Sequence, residues 1–444
     1  MSRVGLIGEN SIEYIEKLLD IWNSGDCAVL IDWRIPFQTA VEMMKEASVQ
    51  KCFVEKIVLE NSSVNEKKGI LFMTFEKRQN AAEFLPSEVY NKFNENYSEN
   101  EAIIIYSSGT TGKAKGIILS HFAINTNADA IINYMQLQKN DCMYIAKALS
   151  HSSTITGELL VALKSKLKLV IAPTVAPPRF VLKNLNKFSV SIICLNPTLL
   201  ALYAEEHNRN TFDIKSLKTI YVSGSILDDK VYKLAHDTFN GIEIYNVYGL
   251  SETGPRVTAQ KADCCKNNSV GKPIKDVAVK VVNESGKEVE AGEQGNIYVK
   301  TPCLFVGYVT KNENLKSIYL DWFNTGDIGY FDENDELHVT GRQDDLIIIN
   351  SYKIYPSFIE KFLLENKNII ECRVLYTERY GLTCVYTKSV DEEIQIDLAS
   401  SLNNKLALYE IPKKYLCIYK FPRTTSGKIN MREIKQIIEG GGTI

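Results

Sequence analysis

The run Tyr106-Ser107-Ser108-Gly109-Thr110-Thr111-Gly112-Lys113-Ala114-Lys115-Gly116 gathers hydroxyls, glycines and two lysines directly after the apolar stretch Ala102 to Ile105. Such a loop suits a polyphosphate. Glycines let the backbone turn sharply and bring N–H groups close to an anion, hydroxyls add donors, and lysines neutralise charge. A Walker A loop is excluded by spacing: it needs four residues between its first glycine and the Gly-Lys pair and a hydroxyl residue after the lysine. Here two residues separate Gly109 from Gly112, and Ala114 follows Lys113. Taken alone, the same composition also describes a solvated turn.

The elements that would position this loop read as α/β. Val4 to Ile7 has the pattern of a strand. Ser11 is an N-cap for a helix carrying Ile12, Ile15, Leu18, Leu19 and Trp22 and closing near Gly25, and Ala28 to Ile31 completes a βαβ unit. Asn61 to Gly69 and Ser87 to Glu101 read as polar loops and surface helix. Four short apolar runs, Lys168 to Pro173, Val190 to Leu195, Lys218 to Val222 and Glu243 to Val247, are separated by helix-length stretches, a pattern of parallel sheet covered by helices. Alternating runs at Ala278 to Val282, Gly295 to Val299 and Glu336 to Val339 predict antiparallel structure. After Gly341-Arg342 the pattern restarts. Leu346 to Ile349 is a strand, Ser357 to Glu365 an amphipathic helix, Glu371 to Tyr376 and Gly381 to Tyr386 are strands, and Leu398 to Leu408 is a helix. A domain boundary is expected there, giving domains of residues 1–342 and 343–444.

At 444 residues the chain exceeds what one hydrophobic core usually serves. A net charge of −3 offers no general attraction to nucleic acid or an anionic membrane, so an anion site must come from local residues. The ten cysteines lack metal-ligand spacing, and Cys264-Cys265 are adjacent, a poor geometry for a mutual disulfide. Reduced thiols, and with them a cytoplasmic protein, are expected. No apolar run is long enough for a membrane span, and the N-terminus is too short in apolar length for a signal peptide.

Three later segments follow the glycine-rich loop in order: Tyr248-Gly249-Leu250-Ser251-Glu252-Thr253; Thr325-Gly326-Asp327 with Gly341-Arg342-Gln343-Asp344-Asp345; and Pro422-Arg423-Thr424-Thr425-Ser426-Gly427-Lys428. Read together with the loop, they resemble the adenylate-forming superfamily of acyl- and aryl-CoA synthetases, peptide-synthetase adenylation domains and luciferases. The match runs over nearly the whole chain and implies a compact, stand-alone member. The fold it implies is a large N-terminal domain of helix-covered parallel sheets plus a small β-barrel-like part, followed by a small mobile α+β C-terminal domain.

The resemblance also assigns roles. Ser107, Ser108, Gly109, Thr110, Thr111, Gly112, Lys113 and Lys115 would cover the β- and γ-phosphates of ATP. Tyr248 and Gly249 would lie beside adenine, with Gly224 of Val222-Ser223-Gly224-Ser225 along it. Ser251, where the family usually has Thr, would meet the α-phosphate. Glu252 would hold Mg²⁺, a hard ion suited to carboxylate and phosphate oxygens. Asp327 would accept from both ribose hydroxyls, Arg342 would make a second nucleotide contact, Asp344 would be the hinge, and Lys428 would stabilise charge during adenylation. The acyl pocket would draw on His151, Ser152, Ser223 and Val247.

The segment His151 to Gly157 lacks the aspartate that amino-acid-activating relatives use to pair a substrate amine, although Glu158 follows immediately. An acid without an α-ammonium group is therefore expected. Ser351 stands where relatives commonly have a glycine lining the pantetheine tunnel, and Ile348 where many have lysine. The implied reaction makes an acyl-adenylate and passes the acyl group to the thiol of coenzyme A or of a carrier protein's phosphopantetheine. An acyl-AMP ligase acting on an amine, a stand-alone amino-acid adenylation enzyme and a non-catalytic nucleotide sensor are the alternatives.

Overall fold

The computed structural model describes the chain except residues 63–68, 79–80, 108–113, 175, 261–268, 310–317, 320, 346, 350–351, 367, 389–397, 399–401, 403–405, 407–409, 425–428 and 440–444. Ser108 to Lys113, Ser351, Lys428 and most of the helix expected over Leu398 to Leu408 thus lie outside the described residues. For Ser107 and Ile348 the backbone alone is described.

The first βαβ unit forms as its sequence dictates. Arg3–Gly8 and Cys27–Asp32 are parallel strands joined by the helix Ile12–Asn23. The Ser11 hydroxyl accepts the Tyr14 N–H at 3.1 Å, satisfying a donor the first turn would otherwise leave open, an arrangement worth about 1 kcal/mol. Gly25, at φ +74°, ends the helix in the left-handed region. The first sheet has the strand order Gly307–Tyr308, Lys115–Ser120, Glu101–Ser107, Cys27–Asp32, Arg3–Gly8, Lys51–Glu55, Leu71–Phe75. Its central strands are buried on both faces with period two: Leu6, Leu30, Ile103 and Ile105 enter one core, while Ile7, Val29, Ile31 and Ile104 enter another.

The second sheet runs Lys272–Pro273, Thr258–Ala259, Glu243–Tyr248, Thr219–Val222, Ile192–Leu195, Cys142–Ile145, Lys168–Ile171, Glu83–Phe84. The strands from Glu243–Tyr248 to Lys168–Ile171 in that order are parallel, as their spacing predicted. Met143, Ile145, Cys194, Tyr221 and Val247 join the core shared with Leu6 and Leu30, and Tyr144, Ile193, Leu195 and Val222 enter a separate core under the covering helices. In a third sheet Ala278–Val282 pairs with Gly295–Lys300, which pairs with Trp322–Phe331; the last also pairs with Ile318–Tyr319 and Leu337–Arg342. Toward the C-terminus come the hairpin Ile347–Ile349 with Tyr352–Ile354, the helix Pro356–Leu364, a sheet of Ile369–Thr377, Gly381–Lys388 and Lys414–Cys417, and the helix Met431–Glu439.

The chain divides into two compact units. One comprises Met1–Lys280, Tyr298–Thr325 and Asn334–Leu337, the other Val281–Ile297, Gly326–Glu333 and His338–Ile444. Among the described residues no helix is long and apolar enough to cross a membrane. Eight of the cysteines are described, all as free thiols, and every one of these except Cys417 is buried.

Candidate functional site

In the first unit the glycine-rich loop is the connection of a hairpin. Strand Glu101–Ser107 pairs antiparallel with Lys115–Ser120, and Ser107 faces Lys115 across the ladder. The apolar run ahead of the loop is therefore a rigid base, with Ile103, Ile104 and Ile105 buried to 3% or less. Lys115, at the far foot of the loop, places its ammonium 5.6 Å from the centre of the Tyr308 ring. The Tyr308 hydroxyl donates to Glu252 Oε1 at 3.2 Å. A cation, a ring and a carboxylate are thus brought together from three separate parts of the sequence.

Tyr248 ends the strand Glu243–Tyr248, and the segment after it folds back on itself: the Val257 N–H donates to the Tyr248 carbonyl at 2.7 Å. That return explains Gly249, where a Cβ would stand 2.5 Å from the Pro255 carbonyl oxygen. Ser251, Glu252 and Thr253 form one turn of 3₁₀ helix, and the Glu252 carbonyl accepts the Phe305 N–H at 2.9 Å. The Ser251 hydroxyl lies 2.9 Å from that of Ser152. Ser223 and Val247 are buried at the ends of neighbouring parallel strands. Gly224 follows at φ +98°, a conformation that favours glycine, and its Cβ direction is open for 4 Å. Such an open backbone edge can accept a flat ring.

His151 caps a short helix that passes at once into a π-helix, Ile155–Leu160. Next to it Asp32, at the end of its strand, is chelated by Arg34 through Oδ1 at 2.8 Å and Oδ2 at 2.5 Å. Burial works to raise the Asp32 pKa, but the Arg34 bonds, helped by the field of His151, bring it below the usual carboxylate value. Glu158, fully buried, pairs with Lys147 at 3.0 Å. Burial pushes its carboxyl upward against the pull of that lysine.

In the second unit Asp327 is buried in the strand Trp322–Phe331, and the Arg342 Nε lies 3.4 Å from its Oδ1. Gly326 precedes it at φ +72°. Asp344 is exposed in a 3₁₀ turn directly after the strand Leu337–Arg342. The ends of the C-terminal lysine loop are clasped: Arg423 and Ile429 form an antiparallel bridge, and the Asn430 N–H donates to the Pro422 carbonyl at 2.8 Å.

The structure therefore brings together Lys115, Glu252, Ser251 and Ser152 in one unit, and Asp327 with Arg342 in the other. Ser108, Gly109, Thr110, Thr111, Gly112, Lys113 and Lys428 lie outside the described residues. Tyr308, Lys147 and Arg256 were missed by sequence reasoning. Tyr308 sits in a two-residue strand whose partner is Ile117, so nothing local marks it. Arg256, four residues beyond Glu252 and 1% exposed, offered a signal in hindsight, since a charge so close to the Ser251-Glu252 turn demanded a partner.

Comparison with known proteins decides the family. The model of the AMP-binding enzyme family matches residues 1–309. The chain belongs to this family. Similar relatives include the 2-succinylbenzoate–CoA ligases of Bacillus cytotoxicus, 28% identical over 452 residues covering 98% of this chain and 89% of that protein, and of Bacillus cereus, 28% identical over 447 residues covering 98% and 88%. Among solved structures the fold is similar to ATP-bound MatB from Rhodopseudomonas palustris, with a TM-score of 0.87 at 21% identity, covering 100% of this chain and 90% of that one. It is also similar to the O-succinylbenzoate coenzyme A synthetase MenE of Bacillus subtilis in complex with ATP and magnesium, with a TM-score of 0.78 at 23% identity, covering 98% and 89%. The α/β architecture of helix-covered parallel sheets with a small C-terminal part is the one the sequence led us to expect.

Proposed function

We propose that the chain is an AMP-forming acid–thiol ligase that joins a small carboxylic acid to coenzyme A through an acyl-adenylate. In the first half-reaction a carboxylate oxygen attacks the α-phosphorus of ATP and pyrophosphate leaves. In the second the thiol attacks the acyl carbon and AMP leaves with that oxygen. Family membership over residues 1–309 and relatives named as CoA ligases across almost their whole length support this reading. The observation that carries it is the Ser251–Glu252 turn, held by Ser152 on one side and Tyr308 on the other beside the foot of the glycine-rich hairpin.

Each residue has a task in that sequence. The loop Ser107 to Lys115 covers the terminal phosphates, Ser251 donates to the α-phosphate, and Gly224, Tyr248 and Gly249 receive the base. Asp327 accepts from the ribose, with Arg342 beside it as a second nucleotide contact. Glu252 suits magnesium. It is a half-buried carboxylate steadied by Tyr308, and magnesium takes one or two carboxylates and completes its shell with phosphate and water. When bound, that ion neutralises charge on the phosphates. Lys428 supplies charge that counts mainly in the adenylation transition state. Asp344 is the hinge between a core of residues 1–342 and a lid of residues 343–444, since a few torsions at such a point suffice to reorient a small domain.

His151, Ser152, Ser223 and Val247 border the acid. Glu158, the carboxylate nearest in sequence, is already paired with Lys147, which argues against an amino-acid substrate. The acceptor is coenzyme A in preference to a carrier protein, and the setting is cytoplasmic. Acid-dependent ATP–pyrophosphate exchange tests the first half-reaction, starting with 2-succinylbenzoate; coenzyme A and a phosphopantetheinylated carrier protein are then compared as acceptors. Failure of every acid tested to support exchange would overturn the proposal.

A further inference from the structure

Buried in the first unit lies a charged cluster that the reaction described above leaves unused. Arg256 is 1% exposed and Glu158 is 0% exposed, and the Lys147 side chain is 10% exposed. Two cations thus share one carboxylate away from water. A buried cation without a matching anion is costly, and a structure tolerates it where the missing anion arrives with a ligand.

The hydrogen bonding of the cluster is also incomplete. Lys147 Nζ and Glu158 are an ion pair at 3.0 Å, yet neither the ammonium nor either carboxylate oxygen makes an aligned hydrogen bond. Arg256 Nη1 donates to the Pro255 carbonyl at 3.2 Å and the Tyr134 phenol faces the guanidinium, while Arg256 Nε has no acceptor. The hydroxyls of Thr154 and Thr156, both fully buried, are unpartnered as well. Buried polar atoms normally find partners, so a concentration of orphans marks a place built for something more.

Its position relates it to the acid. Glu158, Thr154 and Thr156 continue the segment that begins at His151 and Ser152, and Arg256 continues the one that holds Ser251 and Glu252; the two segments meet at the hydroxyl pair of Ser152 and Ser251. Glu158 lies in the π-helix Ile155–Leu160, a distortion frequent at functional sites, and a Cβ on Gly157 would come within 3.2 Å of Arg256 Nη2. The glycine leaves the guanidinium its room.

We propose that Lys147 and Arg256 form a buried cationic subsite for a second carboxylate on the acid being activated, so that the enzyme selects dicarboxylic acids and rejects those ending in plain hydrocarbon. The inference rests on the acyl-adenylate reading and deepens it. A second carboxylate supplies the acceptor that Arg256 Nε lacks and neutralises the excess charge, whereas a methyl terminus would leave both cations desolvated and unmatched.

The test is ATP–pyrophosphate exchange with matched acids: 2-succinylbenzoate against its benzamide analogue, glutarate against glutaramate, and hexanoate. Loss of one partner of a buried charge pair typically weakens binding by about 30-fold or more. The wild-type kcat/KM for a diacid should exceed that for its half-amide by at least this factor, with hexanoate poorer still. Arg256→Gln should erase the preference through KM, and Glu158→Gln, which removes the competing anion, should enlarge it; an inert structural cluster would move neither. A thermal shift with ATP verifies that each variant folds. If Arg256→Gln does not fold, the double variant Lys147→Met/Glu158→Gln, which removes the ion pair together, should show the same loss of preference. Equal rates for diacid and half-amide in the wild type, or variants that lose both acids alike, would overturn the subsite and leave the ligase intact. Absence of exchange with every one of these acids would overturn the ligase reading, and the subsite with it.

Discussion

Replacing Tyr308 by Phe removes the phenol's hydrogen bond to Glu252 and keeps the ring that faces Lys115 at 5.6 Å. The lost bond joins the phenol to Glu252 Oε1 at 3.2 Å, long for O–H···O geometry and only partly buried. A hydrogen bond to a charged acceptor contributes roughly 1.5–3 kcal/mol, and the length and exposure here place this one at the lower end, about 1.5 kcal/mol. That corresponds to ~10-fold in an equilibrium constant. Because the phenol steadies the carboxylate assigned to magnesium, the effect should appear as an apparent magnesium constant raised by about that factor. Pyrophosphate exchange measured across free magnesium at saturating ATP and acid reads it directly, and the limiting rate should fall much less. An unchanged magnesium dependence in Tyr308→Phe would refute the assignment of Glu252 to the metal or of Tyr308 to its support.

Further perturbations separate the remaining roles. Lys428→Ala should lower adenylation by at least ~100-fold while leaving thioester formation from supplied acyl-AMP within a few-fold of wild type, as single-turnover assays of each half-reaction would show. Gly224→Val places a branched side chain at φ +98°, so it should cost about 1–2 kcal/mol in chemical denaturation and raise the KM for ATP several-fold. Burial lowers the His121 pKa to about 4, below its unfolded value near 6.5, so the unfolded state takes up the proton first and stability falls as pH drops from about 6.5 toward 4. Thermal melts of His121→Phe over that range should show a shallower acid-side decline than the wild type, with the ring contact to Trp22 retained.

The parallel sheets were legible because their strands are continuous apolar runs buried on both faces, as Ala28 to Ile31 and Ile103 to Ile105 show. Ser11 and Gly25 marked the first helix from both ends. Elements without such marks were lost. Leu71–Phe75 is an edge strand with Leu71 and Met73 exposed, so no buried pattern betrays it. Trp322–Phe331 alternates only partly, with Thr325-Gly326-Asp327 interrupting the apolar run, and its length comes from pairing with distant strands. Cys142–Ile145 is no shorter than Lys168–Ile171 or Ile192–Leu195, which were read, so its length does not explain the omission. The site divides the same way. Ser251, Glu252 and Asp327 belong to ordered local motifs, whereas Tyr308 and Lys147 reach their partners through tertiary contacts at sequence separations of 56 and 11 residues. No local spacing encodes a pairing of that kind.

Oxygen transfer from acid to nucleotide tests the central chemistry most directly. With 2-succinylbenzoate carrying ¹⁸O in both carboxylates, ATP and coenzyme A, one labelled oxygen should pass from the activated carboxylate into the phosphate of each AMP formed, with none in pyrophosphate. AMP without label, or label in inorganic phosphate, would contradict attack of the carboxylate on the α-phosphorus.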